Sequence, residues 1–327
     1  MDQPRIAVLI PCYNEEMTIA RVVDDFIREL PEAEIFVYDN NSSDSTAAIA
    51  REHGALVRSE TRQGKGNVVR QMFRDIDADF YVMVDGDDTY PAEFVHRMLE
   101  PLLAGETDMV IGDRLSNLSY HVENKRAFHS FGNNLVRQLI RMIYGVKLTD
   151  VLTGYRAFNR VFVKSFPILS RGFEIETELS IHCIDKNWRV TEVPIDYRDR
   201  PAGSESKLST FSDGIKVLMT ILTLFKDYKP LTLFSIIGAL LVLVGVAIGT
   251  TVILDFIQTG LVERFPSALL AVAFVFTGLL AFTCGLILDT TVKGYRKIYE
   301  MTVLREYDWQ HHHHRTLRAD LWDEGQR

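Results

Sequence analysis

Two carboxylates separated by a single glycine, Asp85 and Asp87, directly follow the apolar segment Phe80–Val84. Alternate acidic residues on a tight turn can direct several oxygens at one hard cation, such as Mg²⁺. A cation held there would neutralise a diphosphate group. The competing interpretation is a plain acidic turn or helix cap, and this short motif by itself favours that interpretation.

A glycine-rich segment with a lysine, Gln63–Asn67, lies ahead of the acidic pair. It offers flexible backbone amides and the cation of Lys65. Its spacing is not that of a phosphate-binding P-loop, and most glycine-rich turns are only turns. Next to an acidic pair, however, it strengthens the interpretation as a phosphate site.

The elements that must position these residues follow from the hydrophobic pattern ahead of residue 210. Short β-rich segments alternate there with amphipathic helical patterns, which predicts an α/β layered domain. The predicted strands are Ile6–Ile10, Ile35–Tyr38 and Phe80–Val84, and the predicted helices are Glu15–Leu30, capped by Asn14, and Thr46–His53. A polar break follows each strand. Because ligands of open α/β sheets bind at the carboxyl ends of strands, we expect these breaks to line one crevice.

Two segments without a charged residue, Leu231–Leu254 and Phe265–Leu288, contain 24 residues each. Either is longer than the ~20 residues needed to cross a bilayer, so both are predicted to be transmembrane helices. Lysines and arginines cluster before the first segment and after the second, whereas the connection between them contains a single basic residue, Arg264. The positive-inside rule therefore predicts both termini in the cytoplasm. A helical hairpin buried in a soluble core is the alternative.

Small residues recur within the predicted spans. Gly245 and Gly249 form a Gly-x-x-x-Gly step, and Ala281 with Gly285 has the same spacing. Such spacing allows close helix packing. The alternative is the general frequency of glycine in membrane helices.

The composition excludes several classes of protein. The 36 Lys and Arg against 44 Asp and Glu give a net charge of −8, so we expect no nucleic-acid partner. The cysteines, Cys12, Cys183 and Cys284, lack the spacing of a disulfide framework or zinc site and suit a reducing cytosol. The apolar run Ile6–Ile10 is too short for a signal peptide, so we expect the N-terminal part to stay in the cytoplasm.

Several motifs together resemble one protein family. Four of them occur in the order typical of family 2 glycosyltransferases: Ile10–Glu16, Tyr38–Asp44, Asp85–Asp87 and Gly112–Arg114. Three more resemble the polyprenyl-phosphate subgroup, which includes dolichyl-phosphate mannose synthases and bactoprenol glucosyltransferases: Asp150–Arg156, Gly172–Glu176 and Arg200–Lys207. The resemblance covers roughly residues 4–210, and the two predicted spans resemble those of the bactoprenol enzymes.

The resemblance implies an α/β, GT-A-like (Rossmann-like) cytoplasmic domain followed by two transmembrane helices. The expected parts are a catalytic domain over 1–210, a juxtamembrane amphipathic helix over 211–229, a two-helix anchor over 230–289 and a cytoplasmic tail over 290–327. The protein is expected in the cytoplasmic membrane, which its chain would cross more than once. A homo-oligomer, a tetramer by resemblance, is also implied.

The resemblance also assigns the residues of a donor site. The expected donor-binding residues are Pro11, Tyr13, Glu15 and Asp39 around the nucleoside, and Gly64, Lys65, Asp85 and Gly86 towards the phosphates. Asp85 and Asp87 would hold Mg²⁺ or Mn²⁺. The expected catalytic residues are Asp87, Arg114 and Asp150, with Asp150 either a base or an orienting residue.

The acceptor side must bind a lipid phosphate at the membrane surface. The candidate cations are Lys125 and Arg126, ahead of an apolar stripe from Phe131 to Met142, and the flexible clamp of Arg200, Ser204 and Lys207. A second apolar stripe runs from Phe211 to Phe225, directly before the first span. The alternative for the stripe from Phe131 to Met142 is an ordinary helix that covers the sheet. The alternative for the clamp is a solvated basic loop.

The predicted function is the inverting transfer of a sugar from a nucleotide-diphosphate sugar to polyprenyl (undecaprenyl or dolichyl) phosphate. The product would be a lipid-linked monosaccharide for cell-envelope glycan assembly or glycosylation. UDP-Glc or UDP-GlcNAc is favoured as donor, and GDP-Man is an alternative. A processive polysaccharide synthase is a rival, although its Gln-x-x-Arg-Trp motif is missing, and a non-catalytic nucleotide-sugar sensor or membrane scaffold is another. The run His311–His314 is assigned no function.

Overall fold

The computed structural model describes residues 3–116, 138, 140, 141, 145, 148–201 and 210–324. Within them, a seven-stranded sheet has the order β3-β2-β1-β4-β6-β5-β7. The strands are β1 (Ile6–Cys12), β2 (Glu34–Asp39), β3 (Leu56–Ser59), β4 (Phe80–Met83), β5 (Met109–Asp113), β6 (Arg156–Asn159) and β7 (Val190–Pro194). All of them are parallel except β6, which runs antiparallel to β4 and β5. The predicted α/β architecture is confirmed.

Helices cover both faces of this sheet and bury two apolar cores. One face carries α1 (Ile19–Glu29), α2 (Thr46–Glu52) and α4 (Val95–Leu103), and the other carries α3 (Lys65–Asp75), α5 (Arg160–Ser165) and α6 (Ile175–Asp185). The strands β1, β2, β4 and β5 are buried on both sides, which is why each contains a continuous apolar run, whereas the edge strand β3 is largely exposed.

The antiparallel strand β6 decides what meets at the carboxyl edge of the sheet. The parallel strands end there, whereas β6 begins there at Arg156. The segment that precedes β6, which contains Asp150, therefore reaches the same edge as Asp85 and Asp113. The polar strand ends do line one edge, as the alternation predicted.

The start of the first helix differs from the prediction. α1 begins at Ile19, and its N-cap residue is Thr18 rather than Asn14. Asn14 instead has a left-handed backbone (φ 54°), and its Oδ1 accepts a hydrogen bond from Ser43 N at 2.8 Å. The backbone N–H of Asn14 donates to Ser42 Oγ at 2.9 Å. A short polar side chain tolerates this conformation, and the contact joins the ends of β1 and β2.

The chain divides into two compact units, residues 1–221 with 301–327 and residues 222–300. The helix α7 (Thr210–Tyr228) precedes α8 (Pro230–Thr259) and α9 (Phe265–Glu324). α8 and the part of α9 up to Gln310 are long and apolar enough to cross a membrane. Leu243 and Phe276 are 65% and 61% exposed, whereas a hairpin in a soluble core would hide them.

Glycines bring α8 and α9 into contact within the second unit. A methyl group on Gly238 would lie 2.7 Å from the carbonyl oxygen of Gly278, and one on Gly245 would lie 2.9 Å from the carbonyl oxygen of Ala271. At Gly249 the nearest atom would be at an ordinary 3.6 Å. A methyl group on Gly285 would lie 2.9 Å from Phe234 Cβ, so the close approach involves Gly285 and Gly278 of α9 as well as Gly238 and Gly245 of α8. The sequence pattern indicated Gly245 and Gly285 of these.

Candidate active site

The acidic pair lies directly after β4, and each carboxylate faces a cation. Asp85 forms an ion pair with Lys65, and Asp87 forms one with Arg200. Asp87 is buried, and its Oδ1 also accepts hydrogen bonds from the Thr89 hydroxyl at 2.6 Å and backbone N–H at 3.2 Å. The pair is thus fixed in place by the protein, with one basic side chain on each carboxylate.

Lys65 is shared by two carboxylates. Its Nζ contacts Asp85 and lies 2.5 Å from Glu176 Oε1, in the first turn of α6. Burial by itself lowers the pKa of Lys65, but attraction to Asp85 and Glu176 outweighs burial and raises it, so the side chain stays charged. Glu176 lies in a motif that the resemblance identified, yet sequence reasoning gave it no role.

Glycine on both sides of Lys65 makes this contact geometrically feasible. A methyl group on Gly64 would lie 2.2 Å from the carbonyl oxygen of Arg171, and one on Gly66 would lie 2.3 Å from that of Ser170. Gly64 also has φ 124°, a conformation that favours glycine. The glycine-rich turn therefore packs backbone against backbone next to α6, which carries Glu176.

Two further glycines fit the acidic turn closely. A methyl group on Gly86 would lie 2.7 Å from Cys12 Sγ, and one on Gly154 would lie 2.4 Å from Asp85 Oδ2. The turn after β4 thus lies directly on the end of β1 and on the segment before β6. Larger residues at either position would displace the acidic pair.

Asp150 and Arg114 form a buried two-pronged ion pair. Asp150 Oδ2 accepts from Arg114 Nε at 2.7 Å, and Oδ1 accepts from Nη2 at 2.9 Å. The guanidinium carbon lies 5.8 Å from the centre of the Tyr90 ring and 5.5 Å from that of Tyr197. Burial opposes the charge, but Asp150 outweighs it and raises the pKa of Arg114. Both oxygens of Asp150 are therefore bonded to a permanent cation.

Arg156 is a fully buried arginine that ties this region together. Its Nε donates to the Thr153 carbonyl at 3.1 Å, and its Nη2 lies 2.8 Å from the Val151 carbonyl, 3.0 Å from the Glu176 carbonyl and 2.8 Å from Ser180 Oγ. These acceptors belong to the segment after Asp150 and to α6. Sequence reasoning missed this role, because nothing local indicates that Arg156 points inward.

The predicted nucleoside residues cluster at the ends of β1 and β2. Asp39 is buried, and its Oδ2 accepts from Ser42 N at 3.2 Å. Among the described residues, its Oδ1 has no hydrogen-bond partner. Glu15 is also buried, and its backbone N–H donates to Thr46 Oγ1 at 2.8 Å. The side chain of Tyr13 is 39% exposed beside them.

Pro11 pairs in register with Tyr38, the residue before Asp39. The expected donor residues Pro11, Tyr13, Glu15 and Asp39 therefore come from the ends of two adjacent parallel strands. An unpaired, buried carboxylate oxygen at this place is suited to an N–H or hydroxyl donor of a ligand.

The predicted acceptor residues are only partly covered by the structure. Lys125, Arg126, Ser204 and Lys207 lie outside the described residues, as does most of the stripe from Phe131 to Met142. Arg200 is described and contacts Asp87, which puts it beside the acidic pair. In α7, Ile215 and Leu222 of the second stripe are exposed.

A divalent cation fits the donor set at the acidic pair. No group of three or more His, Cys, Asp or Glu residues converges on one point in the part of the chain that the structure describes. Mg²⁺ is commonly held by one or two carboxylates together with substrate phosphates rather than by a complete protein cage. Asp85 and Asp87 are such a set, and further ligands would come from a diphosphate.

Three comparisons with known proteins agree on the class of protein. The sequence model described as Glycosyl transferase family 2 matches residues 7–166. Glycosyltransferase AglJ of Haloferax volcanii is 31% identical over 293 residues, covering 89% of this chain and 95% of that protein. A dolichyl-phosphate hexose transferase of the same organism is 31% identical over 212 residues, covering 65% and 90%.

The fold is shared with a solved structure. Glucosyl-3-phosphoglycerate synthase from Mycobacterium tuberculosis, in complex with Mn²⁺, UDP and phosphoglyceric acid, is 25% identical with a TM-score of 0.55. The match covers 68% of this chain and 78% of that one. The layered α/β architecture is thus that of a protein solved with a nucleotide and a divalent cation.

Proposed function

Since the chain belongs to the family 2 glycosyltransferases, within the polyprenyl-phosphate subgroup, we propose that it moves one sugar from a nucleotide-diphosphate sugar to the phosphate of a membrane polyprenol. The membership and the GT-A-like α/β fold confirm the family resemblance of the motifs. The observation that carries the proposed reaction is the pair Asp85 and Asp87, fixed at the carboxyl edge of the sheet with a cation on each.

Asp85 and Asp87 would hold Mg²⁺ or Mn²⁺ in the proposed reaction. When bound, such an ion neutralises charge on the departing diphosphate, which is the largest charge developed in the transition state. Lys65 and Arg114 add fixed positive charge at the same edge, and Arg114 is held there by the buried carboxylate of Asp150. The Mn²⁺ complex of the structural relative supports a divalent ion in general.

The donor nucleoside would lie against the ends of β1 and β2. Asp39 Oδ1 would accept a hydrogen bond from the base or ribose, and this is the reason to place the nucleoside there. A uridine donor, UDP-Glc or UDP-GlcNAc, is favoured over GDP-Man, and the UDP complex of the structural relative supports it. The hexose named for one relative supports a six-carbon sugar.

The proposed chemistry needs no strong base. An oxygen of the acceptor phosphate bonds to C1 of the sugar while the bond from C1 to the diphosphate oxygen breaks, and the nucleoside diphosphate leaves with the electron pair. Attack opposite the leaving group inverts C1. A phosphate monoester has a second pKa of about 6, so it is mostly dianionic at pH 7 and has no proton to lose.

Asp150 therefore acts as an orienting residue in this proposal. Both of its oxygens accept hydrogen bonds from Arg114, so the carboxylate is engaged in holding that side chain. Its carboxylate fixes the guanidinium in one direction, and Arg114 would then contact phosphate oxygens by a charge-assisted hydrogen bond.

The acceptor would be bound from the membrane side. Arg200 beside Asp87 and the exposed apolar side chains of α7 support this, and Lys125, Arg126, Ser204 and Lys207 would complete the phosphate site. The expected location is the cytoplasmic face, with α8 and α9 as the anchor and both termini in the cytoplasm. The lipid-linked monosaccharide would serve cell-envelope glycan assembly or glycosylation.

Turnover of the purified full chain tests the proposal. The protein is incubated with Mg²⁺ or Mn²⁺, a panel of UDP- and GDP-sugars, and undecaprenyl or dolichyl phosphate, and the lipid is analysed by mass spectrometry. We expect a mass gain of one sugar per lipid with one preferred donor, and no gain with the same polyprenol lacking its phosphate. A polymer would indicate the processive synthase, and no product with any donor would favour the sensor or scaffold.

A further inference from the structure

Glu176 is a buried carboxylate that the proposed reaction does not use. It comes from the first turn of α6, is 4% exposed, and lies 2.5 Å from Lys65 Nζ. The same ammonium group contacts Asp85. A single lysine thus connects the proposed metal ligand with a second carboxylate from a different part of the chain.

The contact between Lys65 and Glu176 is held from both sides. Gly66 N donates to the Gly172 carbonyl at 3.2 Å, which fixes the lysine turn against the segment before α6. Arg156 Nη2 lies 3.0 Å from the Glu176 carbonyl oxygen, which fixes the start of α6. Neither partner can move away without breaking backbone contacts.

Asp85 is the more accessible of the two carboxylates. Its side chain is 26% exposed, whereas that of Glu176 is 5% exposed. A cation arriving from solvent therefore reaches Asp85, and Lys65 can remain with Glu176. Among the described residues, no third acidic, histidine or cysteine ligand joins them in a metal cluster, so Glu176 acts through Lys65.

We propose that Glu176 is a positioning residue that retains Lys65 and thereby leaves Asp85 available to a divalent cation. This inference rests on the proposed function, because it takes Asp85 as a metal ligand. The charges explain why a second carboxylate is required. Asp85, Glu176 and Lys65 together carry a net charge of −1, whereas Asp85 and Lys65 alone are neutral. Buried charges are weakly screened, so this difference acts at short range on an arriving cation.

Mn²⁺ binding to four proteins tests the inference. The wild type, Glu176→Gln, Lys65→Met and the double variant are titrated with Mn²⁺, and free Mn²⁺ is measured by electron paramagnetic resonance with and without UDP. We expect Glu176→Gln to bind Mn²⁺ about tenfold more weakly, because the cluster loses a negative charge and Lys65 keeps only Asp85. Lys65→Met should bind Mn²⁺ at least as tightly as wild type without UDP. The double variant restores the net charge of −1 and should return to within about threefold of wild type.

Glu178→Gln is the matched control. Glu178 is a buried carboxylate of the same helix that accepts from Leu169 N at 2.9 Å and Ser170 N at 2.8 Å. Its replacement removes the same charge from α6 without removing the partner of Lys65, and Mn²⁺ affinity should stay within about twofold of wild type. Thermal unfolding of each variant verifies that it is folded.

Each remaining outcome contradicts a specific step. Wild type that binds no Mn²⁺, with or without UDP, overturns the metal assignment of the proposed function and this inference with it. Wild type that binds Mn²⁺ with an affinity equal to that of Glu176→Gln overturns this inference alone. Equal weakening in Glu176→Gln and the double variant shows that Glu176 does not act through Lys65, and overturns it too. The comparison of wild type with Glu176→Gln decides by itself if Lys65→Met does not fold.

Discussion

Replacing Asp150 by Asn should destabilise the cytoplasmic unit through Arg114 rather than through Asp150 itself. Asp150 is fully buried and the Arg114 side chain is 12% exposed, and the guanidinium donates hydrogen bonds of 2.7 and 2.9 Å to the carboxylate, which also accepts from the Arg114 backbone N–H at 3.3 Å. Asn keeps the shape but removes the charge, so a buried guanidinium loses its carboxylate. Removing one partner of a buried pair costs about 3–5 kcal/mol.

The lower end of that range applies here. Arg114 keeps the rings of Tyr90 and Tyr197 near its guanidinium, which offset part of the loss. A cost of about 3 kcal/mol corresponds to a fall in Tm of roughly 6–12 °C for a unit of this size. The double variant Asp150→Asn with Arg114→Met removes both charges and should recover to within about 1 kcal/mol of wild type.

Thermal unfolding of the full chain in detergent, followed by tryptophan fluorescence, measures the stability loss of the single variant and of the double variant. The matched control is Asp77→Asn, because Asp77 pairs with Arg160 at 2.9 Å but is 52% exposed. That change should cost less than about 1 kcal/mol. The reasoning is refuted if Asp150→Asn costs no more than the control, or if the double variant is as unstable as the single one. Activity should stay low in both Asp150 variants if the pair orients a phosphate.

Three further predictions concern the metal, the acceptor and the anchor. Asp85→Asn and Asp87→Asn should each reduce turnover by at least about 100-fold in protein that still folds, because the diphosphate loses its neutralising cation, and EDTA should have the same effect on wild type. Lys207→Ala should raise the KM for polyprenyl phosphate about tenfold, because a cation of the phosphate clamp is lost, while calorimetry finds donor affinity unchanged. Gly245→Leu should weaken the association of the two spans, measured by cysteine crosslinking, far more than Gly249→Leu. A Cβ atom at Gly245 would lie 2.9 Å from the Ala271 carbonyl oxygen, whereas one at Gly249 would lie at an ordinary 3.6 Å from Ala271 Cβ.

Each of these has a contradicting result. Full turnover of either aspartate variant in chelator would remove the metal assignment. Lost nucleotide binding with unchanged acceptor saturation in Lys207→Ala would assign that lysine to the donor site. Equal crosslinking in both glycine variants and wild type would leave the glycines without a packing role.

The sequence by itself determined the features that depend on local pattern. Apolar runs ending in polar breaks predicted three of the strands and the edge at which their polar residues meet. This is possible because a strand that is buried on both faces consists of consecutive apolar residues. Two long charge-free segments predicted the helices able to cross a membrane for the same reason. Ordered motifs identified the family.

Only the tertiary structure decided which side chains share the site. Lys65 meets Glu176, and Arg200 meets Asp87 across 113 positions of the chain. These contacts depend on strand order and on the antiparallel insertion of β6, which periodicity does not encode. The position of Asn14 likewise predicted a helix cap, but its side chain accepts a hydrogen bond from Ser43, in the loop that follows another strand. Charges far apart in sequence leave no local signature of their pairing, since the energy that joins them exists only once the sheet has formed.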